Sequence, residues 1–126
     1  MVIRSLEELL VYQRALSAAD EILAILDRPA FLRDPELRKQ LGASSERVPA
    51  LISEGFAQGT DRHFASYLYR ARGSSSETRT HLQRAQRKGC ITSDEWRARS
   101  DRYTEIEKML TGLIKHLNRE NRQRRG

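Results

Sequence analysis

Arginine is the residue through which this sequence can do chemistry. Arg62, Arg70, Arg72, Arg79, Arg84, Arg87 and Lys88 crowd the stretch leading to Gly89, and Arg119, Arg122, Arg124 and Arg125 crowd the C-terminus. A guanidinium presents a rigid fork of donors that grips a phosphate in two-pronged fashion. The chemistry on offer is recognition of something acidic, and nucleic acid is the first partner to consider. A well-solvated, soluble surface is the plainer use of the same charge. Aromatic residues are few. Tyr69 falls among the arginines, where it can stack on a base, whereas Tyr67 and Tyr103 take core positions. Phosphate contacts with little base readout are therefore expected.

Catalytic patterns are weak by comparison. His63, His81 and His116 have no metal-ligand spacing with one another or with carboxylates. Cys90 is the single cysteine, which excludes an internal disulfide and a cysteine-cluster metal site. Lys88 is close enough in sequence to lower its pKa, but no histidine base is placed beside it. The Glu-x-x-His pattern of di-iron bundles and the glycine-rich phosphate loop are both missing. The expectation is a protein without catalytic residues, cofactor or metal.

The charge is unevenly distributed. Residues 1–60 carry 7 basic and 9 acidic side chains, a net of −2, whereas residues 61–126 carry 16 and 8, a net of +8. A chain of 126 residues makes one domain the natural expectation, large enough to bury a real core. It has no apolar run of membrane-span length and no signal-peptide segment in MVIRSLEELL, so a cytoplasmic location without membrane contact is expected.

The elements that must position these arginines are helices, since 3.6-residue periodicity dominates and strand signals are nearly absent. A first helix is expected over about Leu6 to Asp27, opened by a Ser5–Glu8 capping box and stopped by Arg28-Pro29. Its apolar arc is wide. One stripe is Leu9, Tyr12, Leu16, Ala19, Leu23 and Leu26; an adjoining one is Val11, Ala15, Ala18, Ile22 and Ile25. We read the second stripe as a subunit contact, the alternative being deeper burial within the monomer. A second helix opens at Asp34-Pro35 and runs to about Gln58, kinked near Pro49. A third runs from Thr60 or Asp61 to just before Gly89, a good residue to end a helix. One of its faces packs through Phe64, Tyr67, Leu68, Ala71, Ser75, Thr78, Leu82 and Ala85, and the opposite face carries Arg62, Arg70, Arg84, Arg87 and Lys88. Arg72 and Arg79 lie on the border, and Gly73 falls in a small-residue run where a neighbouring backbone can come close. A fourth begins at Thr92 with Glu95 in a capping box, then frays. Residues 1–118 are thus expected to form an all-α, up-down-up-down antiparallel four-helix bundle, and residues 119–126 a basic, mobile tail.

Four motifs in order resemble a known family. They are Val11-Tyr12-Gln13-Arg14-Ala15-Leu16; Val48-Pro49 followed by Ser53-Glu54-Gly55; Phe64, Tyr67-Leu68-Tyr69 and Ala71-Arg72-Gly73-Ser74; and the closing segment Leu110 to Leu117. The family is that of the small four-helix-bundle proteins encoded in intervening sequences of bacterial 23S ribosomal RNA genes, related to the accessory variability determinant of diversity-generating retroelements. The resemblance spans about residues 6–118. It implies a homo-oligomer, a pentameric barrel. For the retroelement branch it also implies a basic surface that binds nucleic acid and a reverse transcriptase. Many members carry a basic pair just before the second motif. Here Gly42 and Ala43 stand there, followed by Glu46-Arg47, which leaves the third helix and the tail as the candidate contacts. Glu54, part of the second motif, is read as an ion-pair partner for an arginine of the third helix or of a neighbouring subunit, the alternative being a ligand contact. The leading expectation is a non-enzymatic, homo-oligomeric bundle that binds RNA or DNA through phosphate contacts. The alternative is a protein-interaction scaffold whose basic face docks on an acidic partner such as a reverse transcriptase.

Overall fold

A computed structural model describes residues 5, 6 and 9–125, with side chains as far as Gln123. Five helices follow one another: α1 (Leu10–Leu23), α2 (Pro29–Leu32), α3 (Pro35–Phe56), α4 (Asp61–Arg87) and α5 (Ser93–Arg125). The fold is all-α, with no strand among the described residues.

Local chemistry accounts for most helix ends. Asp34 caps α3 by accepting from the Leu37 amide at 3.2 Å, with Pro35 in the first helical position. Thr60 caps α4 by accepting from the His63 amide at 3.2 Å. At the other end of α4, Gly89 takes φ +78, the Gly89 amide donates to the Gln86 carbonyl and the Cys90 amide donates to the Ala85 carbonyl. This pair of bonds is a Schellman closure, which needs the left-handed glycine. The Thr92–Glu95 capping box forms in full: the Glu95 amide donates to Thr92 Oγ1 at 3.1 Å and the Thr92 amide donates to Glu95 Oε1 at 2.9 Å.

Other boundaries differ from the sequence reading. Helix α1 begins at Leu10, not Leu6, and ends at Leu23, after which residues 24–27 continue in turns. The expected Ser5–Glu8 box lies outside the described residues. Pro29 does more than stop a helix, because it opens the short α2, whose Phe31 is fully buried. Helix α3 holds Pro49 inside it, as expected, and ends at Phe56, two residues before the expected Gln58; the nearby Ser45 hydroxyl donates to the Gly42 carbonyl at 2.8 Å. The chain after Leu117 continues α5 to Arg125 in place of a separate tail. Its Arg, Glu, Asn and Gln residues include no helix breaker, and extending an existing helix avoids the cost of nucleating one.

Helix α4 packs against α3 on one side and α5 on the other, and α1 lies across α3 and α5. Leu41, Ile52, Leu68, Leu82, Ile106 and Leu110 fill the space between them. This arrangement overturns the assignment of the two α1 stripes. Val11, Ala15, Ala18, Ile22 and Ile25, expected at a subunit contact, are buried within the single chain. In the other stripe Leu9, Ala19 and Leu26 are buried as well, whereas Leu16 and Leu23 are 41% and 44% exposed. Both stripes are apolar, and periodicity cannot say which one α3 and α5 cover.

Polar groups that tie helices together are few and specific. The Thr78 hydroxyl lies 2.9 Å from that of Ser44, linking α4 to α3 in the interior. Glu95 also accepts a forked pair of bonds from Arg28, at 3.0 and 2.6 Å, which joins the α1–α2 connection to the start of α5. The Arg28 guanidinium, and after it the Thr92 amide, hold the Glu95 carboxyl down at about 2. A depressed folded-state pKa contributes stability that is complete above the unfolded value of 4.5 and is lost as pH falls towards 2. Glu95→Gln is therefore expected to flatten the fall in stability across that window, read from denaturant midpoints at several pH values. An unchanged pH dependence would show the Arg28 pair to be energetically idle.

Candidate nucleic-acid interface

The basic residues divide by what each one touches. Helix α4 positions Arg62, Arg70, Arg84 and Arg87 on its outward side because their opposites, Phe64, Leu68, Ala71, Leu82 and Ala85, are buried. Arg84 and Arg87 are exposed, form no ion pair among the described residues, and line an open depression with Thr80, Gln83 and Lys88. Arg62 is exposed as well. The Arg70 guanidinium sits over the Tyr67 ring, 5.1 Å from its centroid, and the side chain stays exposed.

Three expected binding residues are already engaged. Arg79 makes a two-pronged pair with Glu107, both contacts at 2.7 Å, and Glu107 also accepts from Ser75 at 2.9 Å. That carboxylate raises the Arg79 pKa and keeps its fork from a phosphate. Arg72 donates to Thr111 Oγ1 at 3.1 Å. Lys88 pairs with Asp34 at 2.6 Å and holds that carboxyl below its usual range, with the Leu37 amide as the next cause. These residues join α4 to α5 and to the start of α3; they are not free phosphate contacts.

Helix α5 supplies cations the sequence reading passed over. Lys108 and Lys115 are exposed and fall on one line with the exposed Arg119 and Arg122, at helical spacings of seven, four and three residues. The spacing is visible in the sequence, on the side of α5 opposite the buried Leu110, Ile114 and Leu117. The side chains of Arg124 and Arg125 lie outside the described residues.

Gly55 is tightly packed: a Cβ there would stand 2.6 Å from Tyr67 Cβ, so its structural role holds. Pro49 is buried in α3. Gly73 is not a close-approach site, because a Cβ there would meet nothing within 4 Å and its neighbours Ser74 and Ser75, not Gly73, face inward. The Glu54 carboxylate is exposed and pairs with no arginine among the described residues; the exposed Arg47 pairs instead with Glu77 at 3.7 Å. Cys90 is buried, and burial, then Asp34, push its thiol up against the opposing pull of Lys88, the reverse of activation. Among the described residues no three His, Cys, Asp or Glu side chains gather as a metal site, and no helix is long and apolar enough to cross a membrane.

The pairing of motif with geometry agrees with the comparison to known proteins. Residues 7–112 match the family described as 23S rRNA-intervening sequence protein. This chain belongs to that family. A similar solved structure is the crystal structure of a protein of unknown function from the S23 ribosomal protein family of Bacteroides thetaiotaomicron. It is 25% identical with a TM-score of 0.77, and the match covers 84% of this chain and 99% of the other. No curated protein matches the chain. In this 23S rRNA-intervening sequence protein the motifs meet in space. Gly55 of the second motif packs on Tyr67 and Phe64 of the third. Arg72 of the third bonds to Thr111 within the closing helix.

Proposed function

We propose that this protein is a non-enzymatic, homo-oligomeric antiparallel four-helix bundle that binds RNA or DNA through phosphate contacts. The observation that carries the reading is that Arg84 and Arg87 are exposed and form no ion pair among the described residues, while the neighbouring Arg79 and Lys88 have carboxylate partners; further along the molecule α5 adds the exposed Lys108, Lys115, Arg119 and Arg122. The net of +8 over residues 61–126 resides on α4, α5 and Lys88 at the end of α4. Support for a bundle comes from the closed order of contacts α1–α3–α4–α5–α1. Support for assembly comes from an open groove of about 370 Å³ between α1 and α3, where Tyr12, Leu16, Ala19, Leu23, Pro49 and Ala50 stand with Asp20, Glu46 and Ser53 among them. The resemblance implies a pentamer.

Counterion release sets the test. For duplex DNA, log K falls against log salt by roughly 0.9 for each phosphate neutralised. Arg84→Ala with Arg87→Ala is expected to flatten that slope by up to about two units and to weaken different sequences alike, since phosphate contacts carry no base information. Titration of fluorescent RNA and DNA at several salt concentrations reads both effects. Equal affinity and equal slope in the wild type and the double variant would remove the end of α4 from the interface.

A further inference from the structure

The one exposed aromatic ring on the basic side of the molecule has a defined setting. Tyr69 is 47% exposed on α4. The Arg72 guanidinium, one turn on, stands over its ring at 5.0 Å from the centroid. Arg72 is itself fastened across the helix seam by its bond to Thr111 Oγ1 at 3.1 Å. Helices α4 and α5 run antiparallel here, since Arg72 pairs with Thr111 and Arg79 with Glu107. The chain Tyr69–Arg72–Thr111 therefore fixes the ring while leaving nearly half the side chain in solvent. The next residue along the same ridge, Gly73, offers open space: a Cβ there would meet nothing within 4 Å.

Cations bracket the ring. On α5, Lys108 and Lys115 lie about one turn to either side of Thr111, and both are exposed. On α4, the exposed Arg62 lies two turns before Tyr69, about 10 Å along the axis. The nearby carboxylate of Glu107 is neutralised by Arg79. A ring held by a guanidinium, with positive charge on both sides, is the pairing that single-stranded nucleic-acid sites use: bases stack on the aromatic ring while cations follow the backbone. A duplex keeps its bases stacked on each other and leaves such a ring unused.

We propose that Tyr69, held by Arg72 on the α4–α5 seam, is a stacking platform for an unpaired base, so that the nucleic acid engaged here is single-stranded. The proposal rests on the phosphate-binding reading above and adds the strandedness of the ligand.

The test is fluorescence anisotropy at low salt with labelled oligouridine, oligodeoxythymidine and a hairpin duplex, on the full chain and on Tyr69→Ala and Tyr69→Phe. Loss of one stacked base corresponds to about fivefold or more in affinity. Tyr69→Ala is expected to weaken single strands by at least that factor, to leave the duplex within about twofold and to keep the salt slope, since no charge is removed. Tyr69→Phe keeps the ring and is expected to bind as the wild type does. A single 2-aminopurine in the oligonucleotide should change fluorescence on binding wild type and Tyr69→Phe but not Tyr69→Ala. The single strand that loses more identifies the polymer. Equal loss on duplex and single strands, no loss on either, or a changed sedimentation coefficient for Tyr69→Ala would overturn the platform. If the wild type binds single strands and duplex with the expected salt slope while Tyr69→Ala is silent, the phosphate reading stands and the platform falls. If the wild type binds neither, both fall.

Discussion

Ile22→Glu is expected to unfold the protein at neutral pH. Ile22 is 0% exposed, in the part of α1 enclosed by α3 and α5. A carboxylate there sits among apolar side chains and loses its water, so it is driven either to protonate or to open the structure. Losses above about 4 kcal/mol are the expected scale for an unpaired buried charge, a large share of the roughly 5–15 kcal/mol by which domains are stable. Circular dichroism and urea denaturation read the effect. The contrasting variant is Leu16→Glu with Leu23→Glu. These side chains are 41% and 44% exposed, so stability should change by no more than about 1 kcal/mol. If the α1–α3 face mediates assembly, this pair lowers the sedimentation coefficient while helicity survives. A folded Ile22→Glu variant that merely dissociates would return the inner stripe to the subunit contact and refute the packing described here.

That contrast marks the limit of what the sequence discloses about α1. Two apolar stripes lie side by side, and each satisfies the helical period. Their existence is legible; which one the other helices cover depends on how α3 and α5 approach, and no residue on α1 encodes that alone. Caps were legible because they are local. Asp34, Thr60, the Thr92–Glu95 pair and Gly89 each act within a few residues of the end they define. Helix α2 was not legible, since four residues hold barely one helical turn and show no period. The extension of α5 was misread because its polar composition resembles a solvated tail, although composition alone does not end a helix.

The arginine face shows the same division. Helical spacing placed Arg84 and Arg87 outward and set Arg72 and Arg79 on the border, and the structure agrees on both points. It could not reveal that Glu107 takes Arg79, Thr111 takes Arg72 and Asp34 takes Lys88, at sequence separations of 28, 39 and 54 residues. Pairings over such distances follow from which helices become neighbours. Counting basic residues therefore overstates the number of guanidinium and ammonium groups available to a phosphate. Subtracting the engaged Arg72, Arg79 and Lys88 leaves Arg62, Arg70, Arg84 and Arg87 on α4, with Lys108, Lys115, Arg119 and Arg122 added from α5.

The same substitution at two glycines of adjoining helices is expected to act with opposite sign. At Gly55 an added Cβ would stand 2.6 Å from Tyr67 Cβ, 3.1 Å from Phe64 Cδ1 and 3.3 Å from Tyr67 Cγ. Tyr67 Cβ is bonded to the α4 backbone and cannot rotate away, so Gly55→Ala must move α3 and α4 apart. That separation also disturbs the edge-to-face contact of Phe56 with Phe64, whose centroids lie 5.9 Å apart. Overpacking of this kind costs roughly 1–3 kcal/mol, which exceeds the gain of about 1 kcal/mol from replacing a helical glycine with alanine. The net effect is destabilisation, and Gly55→Val, with two further methyl groups at the same contact, should be worse. At Gly73 no atom lies within 4 Å of the added Cβ, so only the backbone gain operates. Gly73→Ala should stabilise by roughly 0.5–1 kcal/mol. Urea midpoints for the two single variants decide the matter. If both move the same way, the close approach of α3 to α4 at Gly55 is not what selects glycine there, and the meeting of the second and third motifs loses its physical basis.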